Sequence, residues 1–203
     1  MLALAIPACS KKSDEKVQPG AAPAPTQAAP PTTARSMTPA SGAPAPAGTF
    51  DASAFCKQVF PADDVSSIVG VDGLEANEWR PPAPAGMARC KLEKSDPTSH
   101  MPVAMALLMV DCGPTHLDVA RHRAVAKAMG SGKDAVYREL ELGKGGAYTK
   151  TTVLKKPSYT VTFVHDAIPC AVTVSTTFIA ADHAEELAKT VYGRITEQNY
   201  PRP

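Results

Sequence analysis

Proline sets the first limit on this chain. From Val17 to Thr49 it recurs at positions 19, 23, 25, 30, 31, 39, 44 and 46, set among alanine, glycine, serine and threonine. The stretch carries one charge, Arg35, and no aromatic residue. A segment this poor in apolar bulk cannot bury enough surface to offset the entropy of ordering. Stiffened by proline at about 3.1 Å per residue, it reaches on the order of 100 Å and reads as a tether. Its prolines keep no common register, which favours a spacer over a ligand for an aromatic groove. What can fold is residues 50–203, enough for one domain with its own core.

Ahead of the tether, Leu4-Ala5-Ile6-Pro7-Ala8-Cys9 runs into the charged residues Lys11, Lys12, Asp14, Glu15 and Lys16. Ile6, Ala8 and Cys9 resemble the lipobox of bacterial lipoproteins; Pro7 is an uncommon residue within it. The resemblance implies lipid on Cys9 and a domain held outside the cytoplasm, in the cell envelope. With Ser10 next, it favours the outer membrane if the cell is Gram-negative. A signal carries a basic start and an apolar stretch of about 7–15 residues. Only Leu2 to Ile6 precede the box and no basic residue does, so the precursor is expected to start further upstream. Residues 1–9 thus read as a signal remnant, 10–49 as tether and 50–203 as the domain. No segment has the roughly 18 apolar residues of a spanning helix, so the chain is expected to sit on a membrane through its lipid anchor.

Of the chain's 21 basic and 20 acidic residues, four basic and two acidic lie before residue 50, leaving the domain at a formal −1. Nucleic acid, which favours a clearly basic face, is not an expected partner. Four cysteines remain after Cys9: Cys56, Cys90, Cys112 and Cys170. An even number in an exported domain reads as two disulfides, with three pairings open. Cys56–Cys90 with Cys112–Cys170 is favoured, because it ties an N-terminal helix to the first strand and one strand end to another strand's start. Zinc sites favour cysteines in close pairs, and no two here lie within five positions. Cys112 and His116 are four apart but straddle Pro114, with no second pair. No metal or cofactor is expected.

Apolar spacing sketches the elements. Asp51 or Ser53 starts a short helix through Phe55, Val59 and Phe60. A second runs from Pro61 to Gly70, with Asp63 and Asp64 near its positive end. Residues 71–86 read as irregular. Met87 to Lys94 is a strand. Val103 to Val110, apolar throughout, suits a central strand buried on both faces. A helix from Pro114 to about Met129 turns Leu117, Ala120, Ala124, Val125 and Ala128 inward and Arg121, His122, Arg123 and Lys127 largely outward. Tyr137–Leu142 and Ala147–Leu154 read as a hairpin turning through Gly143-Lys144-Gly145-Gly146. Residues 159–163 and 172–175 alternate as strands with one wetter face. Asp182 with Glu185 resembles a capping box ahead of a closing helix. The expected fold class is α+β, two layers, a mainly antiparallel sheet covered by helices.

That order resembles a family of small bacterial lipoproteins best known from actinobacteria. The matching parts are the short helix with Cys56, the Cys90 strand, the middle helix, the hairpin Glu141-Leu142-Gly143-Lys144-Gly145-Gly146-Ala147 and the closing helix. The layout is also similar to the PsbP-like fold. The resemblance covers most of residues 53–197, brings no catalytic residues, and implies an envelope-facing accessory or binding domain.

Chemical motifs are sparse. Gly130-Ser131-Gly132-Lys133 lacks the upstream glycine, the following Ser or Thr and the strand-to-helix setting of a phosphate loop. His100, His116, His122, His165 and His183 form no close ligand pair on one helical face. Ser131, Ser158 and Ser175 sit in no nucleophile motif. The candidate binding patch is Arg121, His122, Arg123 and Lys127, suited to an anionic ligand or an acidic envelope protein, with Trp79 as a loop aromatic able to anchor a partner. The expected function is a non-enzymatic binding or accessory module of the envelope. An envelope hydrolase acting on glycan or peptide, and a structural spacer or assembly factor, are the alternatives.

Overall fold

Backbone pairing in the computed structural model is wholly antiparallel. The structure describes residues 50–77, 79–80, 82–114 and 117–202; the tether, Cys9 and His116 lie outside them. In chain order the elements are α1 (Ala52–Val59), α2 (Ala62–Val69), β1 (Glu75–Asn77), β2 (Met87–Ser95), β3 (Pro102–Asp111), α3 (Val119–Met129), β4 (Val136–Glu139), β5 (Lys144–Val153), β6 (Lys156–Val164), β7 (Ala171–Thr177) and α4 (Ala184–Arg194). The seven strands form one sheet in the order β1-β2-β3-β7-β6-β5-β4. This is the expected α+β architecture.

Strand side chains alternate between faces, and the register fixes which residues share one. Cys90, Leu108, Val174, Val161 and Tyr148 lie in line across five strands. Together with Phe163, Val172 and Val110 they build the core. Over this face pack α1, α2 and α4, which bring in Phe55, Val59, Val65, Leu187 and Val191. Phe163 meets the Tyr192 ring of α4 with centroids 5.6 Å apart.

Both disulfides join the favoured pairs. Cys56–Cys90 pins α1 to β2, and Cys112–Cys170 ties the end of β3 to the start of β7. Asp51 caps α1, its carboxylate accepting from the Ala54 N–H at 2.9 Å. Gly70, in the left-handed region at φ 65°, ends α2.

Three sequence expectations give way to tertiary contacts. The middle helix starts at Val119 rather than Pro114, because the Asp118 carboxylate accepts from the Ala120 and Arg121 N–H groups. The Gly-rich run is not a turn. It opens β5, and the chain reverses through 140–143 instead, with the Leu140 N–H donating to the Gly146 carbonyl. The capping box does not form: the Tyr148 hydroxyl donates to Asp182 at 2.6 Å, and Glu185 faces Arg138 at 2.6 Å and Lys189 at 2.8 Å.

Candidate functional site

The helix α3 lies on the other side of the sheet from the remaining helices. His122 is hydrogen-bonded to the Thr162 hydroxyl, and Thr162 points away from the face that holds Val161 and Phe163. Ala126 of α3 is buried, as are Ala147 and Thr149 beneath it. Glycine permits the approach, for a Cβ on Gly145 would sit 2.6 Å from the Val119 side chain. The inward face is therefore Val119, His122 and Ala126, not the expected stripe, and Val125 and Met129 remain 54% and 51% exposed.

α3 covers only the β5–β6 end of this second face. Over β2, β3 and β7 no helix among the described residues packs on this face, although Thr177 and Ser158 there are buried. The register stacks three rows there. One row is Arg89, Met109, Thr173 and Thr162; the next is Lys91, Leu107, Ser175 and Thr160; the third is Glu93, Met105, Thr177 and Ser158. Leu107 and Met105 are half-buried, while Val103 and Met109 are 37% and 38% exposed. The expectation that β3 is buried on both faces holds for one face only. An apolar strip about 20 Å long, Val103 to Met109, faces outward at the centre of the sheet.

Hydroxyls pair with each other across the polar floor beside this strip. The Thr160 and Ser175 hydroxyls pair at 2.9 Å, and so do Ser158 and Thr177. On the far side, Lys91 meets Glu93 at 2.5 Å and Asn77 also bonds Glu93, so hydrogen bonding to Lys91 leads in holding the Glu93 carboxyl below its usual range. Arg89 differs. Its Nε is buried without a hydrogen-bond partner, and its guanidinium lies 5.5 Å from the Trp79 ring centre. An unpaired buried donor is rare in folded proteins and marks a place that a ligand atom can complete.

The residues expected to form one patch are spread around α3. His122 points into the sheet. Arg123 lies over Gly145 and reaches toward Glu139 on β4, at 3.8 Å. At 100° per residue, Lys127 falls on the outer side beyond Arg123, Val125 on the flank toward β7, and Arg121 outward above that flank. Of the expected residues, Trp79 borders the open face, beside Arg89. Sequence reasoning missed Arg89, Met105, Leu107 and Met109. Their signal was present: β3 is apolar at every position from Pro102 to Val110 while its partner β2 alternates with Arg89, Lys91 and Glu93.

Two other polar groupings hold the fold together. The Tyr148 phenol is pushed well above its usual value, by burial first and then by the Asp182 carboxylate. Arg138 stacks over that ring at 4.3 Å and pairs with Glu185, fastening α4 to the sheet. A cleft of about 320 Å³ beside the start of α3 is lined by Leu117, Val119, Lys144, His165, Asp166 and Ile168, among others. In it the Ala167 N–H donates to His165 Nδ1 at 3.2 Å, and Nε2 donates to the Tyr192 carbonyl at 3.1 Å. The Tyr192 hydroxyl donates to Asp166 at 2.8 Å. Both side chains are thus spent on anchoring α4. Among the described residues, no three His, Cys, Asp or Glu side chains are grouped to hold a metal, and no helix is long and apolar enough to cross a membrane.

No protein-family model matches the chain, and no curated protein matches it. Among solved structures, the extracellular domain of PknH from Mycobacterium tuberculosis is similar at a TM-score of 0.35 and 10% identity, over 65% of this chain and 89% of that one.

Proposed function

We propose that this chain is an extracytoplasmic binding module, tethered to a membrane through Cys9 and the Pro-rich segment, that works without catalysis. The observation that carries the reading is the open face of β3. A central strand that is apolar on both sides, in a sheet covered on one, leaves a surface that gains free energy when something covers it. Two disulfides support an oxidising compartment, since such bonds persist outside the cytosol. In the cell the module holds an envelope component against this face, at the end of a long spacer.

Crosslinking from inside the face tests the binding function. A photo-reactive residue in place of Met109 is expected to give a discrete adduct in living cells, and Leu107→Asp in the same chain is expected to abolish it. The same probe at Leu154, 76% exposed at a distant hairpin tip, is expected to give none. Equal labelling from both positions, or an adduct indifferent to Leu107→Asp, overturns the assignment of the face. The tether is tested separately by intact mass. Protein extracted from membranes is expected to begin at Cys9 with acyl chains on it, and an unmodified cysteine refutes the anchor.

A further inference from the structure

We infer that the open face takes the acyl chain of a single anionic lipid, with its head group at the Arg89 end. This rests on the reading of the face as a binding surface and names its occupant.

The groove is graded along its length. α3 starts over Gly145 of β5, which meets Val119, and ends against Tyr137 of the edge strand β4, which meets Gly130. Its flank toward β7 therefore presents Val125, with Arg121 turned outward above it, while Met129 lies at the end nearer β4. Across the floor, β3 presents Met109, Leu107 and Met105 in the same sense, because His122 sits on Thr162 in the row of Met109 and Arg89. The Met109 end thus has the Arg89 guanidinium in its own row, with Arg121 on the outer side of α3 at least three strand spacings away, about 14 Å. The rest is floored by methionine, leucine and valine.

Charge on this face is concentrated at that end. Lys91, one row further in, is neutralised by Glu93, and Asn77 also occupies that carboxylate. Asp111, one row outward, accepts from the Gly113 N–H at 3.0 Å. Arg89 and Arg121 form no ion pair among the described residues, and the Arg89 Nε is an unfilled donor. An anionic head group gives it an acceptor, and guanidinium suits carboxylate or phosphate. The tail then lies over hydroxyls already bonded to each other in pairs, which lowers the cost of covering them. Methionine side chains adapt to a flexible apolar partner. A protein partner needs no such gradient; an amphiphile with one charged end does.

The test uses the full chain with oleate below its micelle concentration, and oleyl alcohol as the uncharged match. With methionine methyl groups labelled for NMR, oleate is expected to shift Met105 and Met109 saturably, leave Met1 and Met37 unmoved, and perturb the fluorescence of Trp79, the chain's one tryptophan. Arg89→Gln is expected to weaken oleate by roughly tenfold while leaving oleyl alcohol unchanged, as befits a charge-assisted contact, and the exposed Arg121→Gln is expected to weaken it less. Failure of oleate to saturate these methyl groups, or equal weakening of both probes, overturns the inference. So does binding to phosphatidylglycerol vesicles without binding of monomeric oleate, which makes the bilayer surface the occupant. A protein adduct from Met109 in cells with no oleate binding refutes the lipid and leaves the binding-module reading standing.

Discussion

Replacing Cys112 and Cys170 together by alanine is expected to remove about 4 kcal/mol of stability, the loss the chain-entropy relation gives for a bridge closing 58 residues. The native state gives little of this back. β3 and β7 are already paired along seven positions, from Met105 opposite Thr177 to Asp111 opposite Ala171, so the bond adds few contacts to those the ladder supplies. Its effect lies in the unfolded chain, where it forbids conformations that separate the two strands. Both cysteines are buried, at 3% and 0% exposure, so alanine avoids leaving a hydroxyl without a partner. For a domain of this size the loss corresponds to a fall in Tm of about 8–16 °C. Urea unfolding of the double variant checks it, and a loss under about 1 kcal/mol means that the unfolded chain keeps these strands together without the bond. Since small domains hold about 5–15 kcal/mol in all, a chain kept reduced is left marginal, in keeping with the proposed extracytoplasmic address.

The frame was legible because its signals are local or countable. Four cysteines after Cys9 can be counted, and a capping aspartate at 51, a glycine stop at 70 and a strand over 159–163 are set within a few residues; the bridges, the cap, the stop and the strand stand in the structure as expected, though α3 buries Thr162 on the face expected to be wetter. What misled were places where distant contacts decide. On α3 the competing stripes are built largely of alanine, which scarcely prefers one face. The choice falls to Gly145, which lets Val119 approach, and to Thr162, which meets His122. Neither is adjacent in sequence. The β5–β6 hairpin turns on Leu154 and Lys155, at φ 50° and 64°. Such a turn ordinarily announces itself with Asn-Gly, and this pair carries no signal at all. The candidate site was half legible. Arg121 and Trp79 stood out as a cation and a lone aromatic, whereas Arg89 reads as an ordinary charged position of an alternating strand until its buried, unpaired Nε is seen.

Adjacent residues of β3 are expected to respond in opposite ways to truncation. Leu108 is fully buried between Cys90 and Val174 on the helix-covered face, and Leu108→Ala is expected to cost about 3–5 kcal/mol through lost transfer energy and the cavity left behind. Met109 is the next residue, in the same strand, but 38% exposed on the open face, so Met109→Ala is expected to cost under about 1 kcal/mol. Urea midpoints of the two variants decide it, and equal losses mean that the second face is as much a part of the folding core as the first. Binding is expected to invert the ranking: Met109→Ala weakens capture on the open face, while Leu108→Ala, in whatever fraction stays folded, leaves it intact. The inversion follows from where the apolar surface goes. Hydrophobic side chains on the first face leave water when the chain folds, so their removal is felt in the folding equilibrium. Those from Val103 to Met109 stay partly wet after folding, so their transfer energy is still available and is realised only when an occupant arrives. On the proposed reading, a strand apolar on both sides but covered on one is divided by face between stability and recognition.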